Sequence, residues 1–479
     1  MSNSLKQKTV TGIIWSTLER FSVQGIQFLV MIIMARMLTP DDYGLVGMLA
    51  VFIAVSQSLI DSGFSQALIR KQDRTETDNS TVFYFNIVVG FLLYGILFVA
   101  APLIADFYNE PQLTAITRVI GLSVLFNSFV VVQRALLTIK IDFKTQAKAA
   151  TAAAVISGIV GIWMAYSGYG VWAIVAQQLI NLGINALALW ILTSWRPRCT
   201  YSWQSFHQLF GFGSKLLASG LIDTIYQNIY LIIIGKLFSA SDLGYYTRAH
   251  QFTDFPSSNL TGIIQRVTYP VLCSIQNEDE RLANVYRRFL RISAFVIFPL
   301  MMGLAAVAKP LILILLKEQW LFTASLLSII CFQMMWYPVH AINLNLLKVK
   351  GRSDLFLKLE IYKKIIGVII LCITIPMGLI AMCVGGFFSS MAALIINTYY
   401  TGKLIGVGYF RQMRDLMPTF FLSVSMGVLV YLLIQYIVLP PSLQLIIGIL
   451  WGIIYYTLMA RILNFSEFYD LLNLLKRKK

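Results

Sequence analysis

Charged and polar side chains interrupt several long apolar segments of this sequence, and they are the residues whose types and spacing could do chemistry. An ionisable group in hydrocarbon is costly unless it faces a bundle interior or a water-filled cavity, so each is a candidate functional residue. At about 100° per residue, one helical arc of the first segment carries such groups. The members of this arc and their close neighbours are Ser16, Glu19, Arg20, Gln24 and Gln27.

Three later segments carry comparable polar faces. The segment at 43–65 contains Ser58, Asp61, Ser62 and Ser65. The segment at 208–237 places on one arc Lys215, Ser219, Asp223, Tyr226 and Tyr230. The segment at 243–270 contains Thr247, Gln251, Asp254 and Ser258, with Arg248 and His250 close by. Four helices with such faces would line a central polar cleft, which is the predicted substrate site.

Positive charge exceeds negative charge among these candidates. The cations are Arg20, Arg118, Lys215 and Arg248. A cleft with surplus cations suits an anionic ligand, and a guanidinium binds phosphate through two parallel hydrogen bonds. The alternative is structural, because the acids Glu19 and Asp223 could form ion pairs that hold helices together. For Arg134 and Arg266, close to cytoplasmic helix ends, we expect the side chains to reach the membrane interface instead.

Pro256 lies inside its apolar segment, in the stretch Asp254-Phe-Pro-Ser-Ser-Asn259. Proline removes a backbone hydrogen bond, which predicts a kink or a break lined by small polar groups. Broken helices mark the binding sites of transporters, although ordinary kinks are commoner. We therefore predict that Asp61, Asp254 and Pro256 take part in coupling or gating.

Enzymatic constellations are missing from the sequence. There is no phosphate-binding loop, so the chain is not expected to be an ATP-driven pump. His207, His250 and His340 have no partners at metal-ligand spacing, and no set of nucleophile, base and acid is suggested. The sequence predicts neither a catalytic site nor a cofactor nor a metal, and a secondary transporter remains.

The composition is that of a membrane protein. The chain is 58% hydrophobic and 13% charged, whereas a soluble domain carries about 25% charged residues. Its net charge of +16 fits lysines and arginines in cytoplasmic loops better than nucleic-acid binding. Fourteen spans are predicted at 10–36, 43–65, 80–105, 112–137, 147–167, 169–194, 208–237, 243–270, 286–308, 322–347, 356–376, 378–401, 416–438 and 442–463. Alternating loop charge predicts that both termini are cytoplasmic.

An internal repeat organises these spans. The stretch Arg36-Met-Leu-Thr-Pro-Asp-Asp-Tyr-Gly44 is answered 200 residues later by Lys236-Leu-Phe-Ser-Ala-Ser-Asp-Leu-Gly244. Further matches follow at an offset of 208, such as Gly170-Val-Trp-Ala173 with Gly378-Leu-Ile-Ala381. Parallel repeats of this size are typical of secondary transporters. We predict an all-α protein with a six-helix lobe at 1–200, a second at 201–405, and two extra helices with a basic amphipathic tail at 406–479.

The chain resembles a known group of transporters. The resemblance rests on the basic N-terminus, the internal Glu19-Arg20, the turn Ala35-Arg-Met-Leu-Thr-Pro-Asp-Asp-Tyr-Gly44, and Gly63-Phe-Ser-Gln-Ala67. In these features the chain is similar to the polysaccharide exporters of the multidrug/oligosaccharidyl-lipid/polysaccharide flippase superfamily, the colanic-acid exporter branch above all. The resemblance implies two six-helix lobes arranged as a V.

The same resemblance implies a substrate, an undecaprenyl-diphosphate-linked oligosaccharide moved to the outer leaflet of a bacterial inner membrane. Related flippases keep basic residues in their first and eighth helices, which implies diphosphate-binding roles for Arg20 and Arg248. Membrane lipids, and a polymerase with other assembly proteins, are the implied partners of a monomer. Two alternatives remain: a drug–cation antiporter, which should prefer an acidic pocket, and a membrane-embedded polymerase or glycosyltransferase.

Overall fold

The computed structural model describes residues 22–61 and 63–476, and this part of the chain contains helices and turns but no β-strand. Contacts divide the chain into two compact units, Met1–Gly244 and Tyr245–Lys479. The helices of the first unit are α1 (Ser22–Ala35), α2 (Pro40–Asp61), α3 (Phe64–Arg70), α4 (Glu76–Tyr108), α5 (Leu113–Ile120), α6 (Leu122–Ser128), α7 (Val131–Ile139), α8 (Phe143–Tyr166), α9 (Val171–Leu192), α10 (Trp203–Gln227) and α11 (Ile229–Leu237).

The second unit contains most of α12, which begins within the first unit and passes the boundary at Gly244. Its helices are α12 (Ala240–Ser274), α13 (Asp279–Ala306), α14 (Ala308–Leu316), α15 (Leu321–Met334), α16 (Tyr337–Val349), α17 (Ser353–Thr374), α18 (Leu379–Ile405), α19 (Tyr409–Tyr436), α20 (Pro441–Ile462) and α21 (Ser466–Lys476). The predicted all-α class is confirmed. The two units do not coincide with the predicted lobes, because α10 and α11 pack with the first unit. The lobe boundaries therefore stay a prediction.

Ten stretches of the described residues are long and apolar enough to cross a membrane, and each matches a predicted span. They are Pro40–Arg70, Glu76–Tyr108, Leu113–Ile139, Phe143–Tyr166, Val171–Leu192, Asp279–Ala306, Glu318–Val349, Leu379–Ile405, Tyr409–Tyr436 and Pro441–Ile462. Three further predicted spans are helical but more polar, and they correspond to α10 with α11, to α12 and to α17. The first predicted span begins outside the described residues. The count of fourteen stays a prediction.

Small residues let these helices pack closely. The side of α20 that is buried consists of Gly448, Gly452, Tyr456 and Ala460, which recur every four residues. A Cβ added at Gly448 would lie 2.9 Å from Ile434 Cδ1 of α19. Helices in lipid gain little from apolar burial, so van der Waals packing of side chains against such small-residue stripes holds the helices together.

Large apolar side chains cover the outward faces of the same helices. On α4, Val88, Leu92, Val99 and Leu103 are each more than half exposed, and α20 exposes Ile446, Ile453 and Leu458 in the same way. Apolar surface of this extent is stable in a hydrocarbon solvent and not in water. The protein is therefore a multi-pass membrane protein.

The two halves of the repeat fold alike at their first turn. Thr39 precedes α2, and its backbone N–H and hydroxyl donate to Asp42 Oδ2 at 2.9 and 2.8 Å. Ser239 precedes α12 and donates to Asp242 Oδ2 in the same way, at 3.2 and 2.8 Å. Each pair satisfies N–H groups that a helix start leaves without partners, so the repeated Thr/Ser-x-x-Asp pattern fixes where both helices begin.

Part of the basic charge of the predicted cytoplasmic turns is neutralised locally. Lys350 donates to Asp279 Oδ1 at 2.7 Å. The guanidinium of Arg352 donates to both oxygens of Asp354, at 2.9 and 2.8 Å, and lowers the pKa of that carboxyl to about 2. Asp354 therefore remains ionised at any physiological pH, and this turn adds little to the net positive charge.

Candidate functional site

The N-terminal ends of α2 and α12 cross at a backbone-to-backbone contact within the first unit. A Cβ added at Gly44 would lie 1.8 Å from the carbonyl oxygen of Ala240, and one at Gly244 would lie 2.0 Å from that of Pro40. Ser241 Oγ donates to Asp41 Oδ1 at 2.7 Å across the same contact. Only glycine allows this approach, because any side chain at either position would overlap a peptide group. The repeated Gly44 and Gly244 are thus the two halves of one crossing, the glycine crossing.

Further contacts close the same end of the first unit. Lys236, the counterpart of Arg36 in the repeat, donates its ammonium to the carbonyl oxygen of Phe107 and lies 4.8 Å from the centre of the Phe107 ring. Gly235 packs against Met48 of α2 and Tyr108 of α4. At the opposite end of α2, a second close approach joins α3 to α10, where Gly63, at φ 69°, faces the carbonyl oxygen of Gly213. These contacts tie the first helices of the two repeat halves together.

The polar arc of the first helix is described only in part. Glu19 and Arg20 lie outside the described residues. Gln24 is half-buried and its Oε1 is buried without a hydrogen-bond donor among the described residues, whereas Gln27 is exposed. On α10, which contains Lys215, the amide of Gln227 donates to Asp223 Oδ2 at 3.2 Å on an exposed face.

Asp61 belongs to a polar cluster that joins four helices. The cluster consists of Asp61 of α2, Asn127 of α6, Arg134 of α7 and Asn185 of α9. Arg134 donates to Asn127 Oδ1 at 3.3 Å and to Asn185 Oδ1 at 3.2 Å, and its charge also acts on the half-buried carboxylate of Asp61. The predicted snorkelling of Arg134 to an interface is wrong, because two asparagine carbonyls inside the unit satisfy its guanidinium.

We expect Arg134→Gln to lower the free energy of unfolding by about 2–4 kcal/mol, since it leaves the half-buried Asp61 without its cation. Thermal unfolding of the purified protein in detergent measures this loss. The matched variant is Asp61→Asn combined with Arg134→Gln, which should recover part of the loss because no charge is left behind. Strict additivity of the two substitutions would show that Asp61 and Arg134 are not coupled.

Arg118 of α5 is held by an aromatic ring of its own unit. Its guanidinium carbon lies 4.5 Å from the centre of the Phe98 ring, and Nε donates to the Phe98 carbonyl oxygen at 3.4 Å. Phe98 is on the lipid-facing side of α4, where 42% of its surface is exposed. This position favours a structural role for Arg118 over a ligand-binding role. The structure does not bring Arg118 close to the other candidate site residues of the first unit.

The candidate residues of the second unit lie on α12. Asp254 accepts a hydrogen bond from the Ser258 hydroxyl one turn later. Its carboxylate also interacts electrostatically with His250 one turn earlier. Arg248 and Gln251 are half-buried in the same helix. The helix continues from Ala240 to Ser274, so Pro256 does not break it. Ser257 Oγ donates to the Met334 carbonyl oxygen at 2.8 Å and anchors this part of α12 to α15.

A second buried polar cluster was missed by the sequence prediction. His340 of α16 lies between Ser390 Oγ, 2.9 Å from Nε2, and Asn397 Nδ2, 3.2 Å from Nδ1, both on α18. The asparagine amide donates to Nδ1, so the proton of the neutral ring is on Nε2. The positive charge of Lys363 of α17 interacts electrostatically with this ring, and Lys363 is also ion-paired to Glu360.

The signal for this cluster was present in the sequence, because the predicted span at 356–376 contains three lysines, Lys358, Lys363 and Lys364. The rule that marks an ionisable group inside an apolar segment as a candidate applies to them as well. Across the described ranges 22–61 and 63–476, no three His, Cys, Asp or Glu side chains come close enough to hold a metal ion.

Comparisons with known proteins agree on one group. The sequence profile described as "Polysaccharide biosynthesis protein" matches residues 33–325. The chain is 24% identical to the teichuronic acid biosynthesis protein TuaB of Bacillus subtilis, over 89% of each chain. It is also 24% identical to the lipopolysaccharide biosynthesis protein WzxC of Escherichia coli, over 90% of this chain and 88% of that one. The succinoglycan biosynthesis transport protein ExoT of Rhizobium meliloti is 23% identical over 69% of this chain and 67% of its own.

Solved structures show the same fold. The lipid II flippase MurJ in an inward closed conformation superposes with a TM-score of 0.74 at 14% identity, over 94% of this chain and 99% of its own. An inward-facing multidrug transporter of the MATE family superposes with a TM-score of 0.63 at 16% identity, over 82% of this chain and all of its own. These superpositions establish a shared helical fold, and the profile match establishes the family. The chain belongs to the polysaccharide biosynthesis protein family, with the helical fold of the superfamily that the sequence resembles.

Proposed function

We propose that this protein is a flippase that moves a polyprenyl-diphosphate-linked oligosaccharide from the inner to the outer leaflet of a bacterial inner membrane. Its named relatives are proteins of teichuronic acid biosynthesis, lipopolysaccharide biosynthesis and succinoglycan transport, and a solved neighbour of the same fold is a lipid II flippase. Such a chain performs no covalent chemistry. Both termini are cytoplasmic, and the protein acts as a monomer beside a polymerase and other assembly proteins.

The surplus of positive charge in three helices carries this proposal. α10, α12 and α17 are the long helices of the described ranges that are too polar to pass as ordinary membrane spans. Their basic side chains are Lys215, Arg248, Arg266, Lys358, Lys363 and Lys364. Their acids beyond the first turn are only Asp223, Asp254 and Glu360. A surplus of cations over acids in these helices suits a diphosphate, whereas exporters of organic cations need the opposite balance.

The glycine crossing lies within the first unit, and we propose that it acts as the outer closure during alternating access. The predicted alternation of the spans, counted from a cytoplasmic N-terminus, puts the turns before α2 and α12 on the outer side of the membrane, although each turn carries one cation, Arg36 or Lys236. Their contact would then seal the outer side. Opening this contact would release the oligosaccharide outward. We propose that Asp61 and Asp254 shift the equilibrium between the closed and open states of this contact, and that Pro256 lets α12 bend as the contact opens. The residues proposed to contact the sugars or the diphosphate are Gln24, Gln27, Asp223 and Gln251.

A direct test uses a strain that lacks this gene and the other polysaccharide exporters. An impermeant probe applied to intact spheroplasts reports on which face the lipid-linked oligosaccharide accumulates. We expect accumulation on the cytoplasmic face, relieved by the wild-type gene. If unpolymerised units reach the outer face normally without the gene, the flippase proposal fails in favour of a polymerase, and export of organic cations by the purified protein would favour the drug antiporter.

Arg248→Ala is expected to lower transport at least about tenfold, because it removes a half-buried guanidinium from the proposed diphosphate path. Arg20→Ala should act alike. The spheroplast assay in the deletion strain measures transport by the variant gene, and size-exclusion chromatography of a fluorescent fusion measures the amount of folded protein. The matched control is Arg198→Ala, an exposed arginine in the turn between α9 and α10. Wild-type transport by Arg248→Ala would remove this residue from the site.

A further inference from the structure

A cavity of about 670 Å³ lies in the second unit between α13, the N-terminal part of α19, the C-terminal part of α20 and the start of α21. Its inner wall is apolar, with Phe421 and Leu422 of α19, Met459 of α20 and Leu463 just beyond. Phe421 is 64% exposed and Leu463 is 55% exposed, so this wall continues onto the surface that faces lipid. A volume of this size is typical of pockets for small organic ligands, which span about 300–1,000 Å³.

The mouth of the cavity carries four charged side chains, and three of them are already paired. Both oxygens of Asp415 accept hydrogen bonds from Arg287, at 2.6 Å each. Glu467 lies 3.1 Å from Arg291 Nε. Arg414 is exposed and forms no ion pair or hydrogen bond with the described part of the chain. The acids of the mouth are therefore neutralised, and one guanidinium is left to receive an anion.

We propose that this cavity binds an anionic phospholipid, with the phosphate on Arg414 and the glycerol and first acyl carbons along the apolar wall. Charge complementarity selects a phosphate, because a guanidinium at a helix end lies at the depth of the headgroups. The apolar wall selects a lipid over a soluble anion, since a free phosphate would leave Phe421 and Leu422 uncovered. This site is independent of the proposed transport reaction.

The position of the cavity also selects the leaflet. Arg414 lies in the first turns of α19, and the cavity is closed on one side by α21. α21 is held to α13 by the ion pairs of Arg288 with Asp470 and of Arg291 with Glu467. Loop charge predicts that this end is cytoplasmic. The lipid of the proposed site therefore belongs to the inner leaflet.

The test is native mass spectrometry of the purified full-length protein in detergent, titrated with phosphatidylglycerol. We expect Arg414→Gln to weaken binding at least about fivefold, the effect of one basic residue near an anionic lipid surface. The matched control is Arg411→Gln, an exposed arginine three residues earlier on α19 that does not line the cavity. Arg411→Gln should leave the affinity unchanged.

Three outcomes would overturn the proposal. Equal weakening by Arg414→Gln and Arg411→Gln would indicate general surface charge and no site. Equal affinity for zwitterionic phosphatidylethanolamine would show that the anionic headgroup is not recognised. Displacement of the lipid by inorganic phosphate alone would identify a soluble anion as the ligand. Because Arg414 has no partner in the described chain, we expect its substitution to leave the fold intact. A difference in lipid affinity between the two variants then reports on lipid binding and not on misfolding.

Discussion

Gly44→Ala is expected to abolish transport. Its Cβ would lie 1.8 Å from the Ala240 carbonyl oxygen, and real Cβ atoms do not approach within 3.0 Å, so α2 and α12 must separate by more than an ångström. Both partners are backbone and cannot rotate away. We expect a cost of about 3 kcal/mol against the closed crossing, the upper end for overpacking. This lowers the population of the closed crossing about a hundredfold.

Gly244→Ala should behave in the same way, since its Cβ would lie 2.0 Å from the Pro40 carbonyl oxygen. The spheroplast assay measures transport. Labelling of a Ser241→Cys variant by an impermeant thiol reagent measures opening of the glycine crossing. The matched control is Gly95→Ala on α4, where an added Cβ meets nothing within 4 Å. If Gly44→Ala transports like the wild type with the crossing still closed to the reagent, the crossing is not the outer closure.

Asp415→Asn is expected to destabilise the second unit by about 3–5 kcal/mol. Arg287 donates Nε and Nη2 to the two oxygens of Asp415 at 2.6 Å each, joining α13 to α19. The side chain of Asp415 is only 7% exposed and that of Arg287 25%. Removing one partner leaves the other charge partly buried and uncompensated, which costs far more than the pair itself is worth. Thermal unfolding of the purified protein measures the change.

The matched control is Glu278→Gln. Glu278 pairs with Arg281 at 3.1 Å, but both side chains are more than half exposed, so the loss should be below about 1 kcal/mol. The double variant Arg287→Met with Asp415→Leu should recover most of the stability, because apolar side chains replace both charges. Equal losses for Asp415→Asn and Glu278→Gln would contradict the assignment of Arg287 and Asp415 as a structural pair.

Much of the fold was predictable because it depends on neighbours in the sequence. The apolar segments predicted the positions of ten helical stretches that are long and apolar enough to cross a membrane, and the Thr39 and Ser239 patterns marked the starts of α2 and α12. Apolar length and helix capping are local properties, decided within a few turns of chain. The polarity of α17 was equally visible, and its lysines were overlooked.

The sequence by itself determined the protein's class, its helices, its repeat and the surplus of cations over acids within its polar helices. The tertiary structure alone decided which partner each cation has. Arg118 packs against the ring of Phe98, Arg134 donates to the carbonyls of two asparagines, and Arg287 is paired with a carboxylate 128 residues away. It also gave Gly44 and Gly244 their common role, since the overlap involves carbonyl groups of the other repeat. The reason is physical, because a side chain's partner depends on how helices distant in the sequence pack, and helical periodicity fixes only the face it occupies.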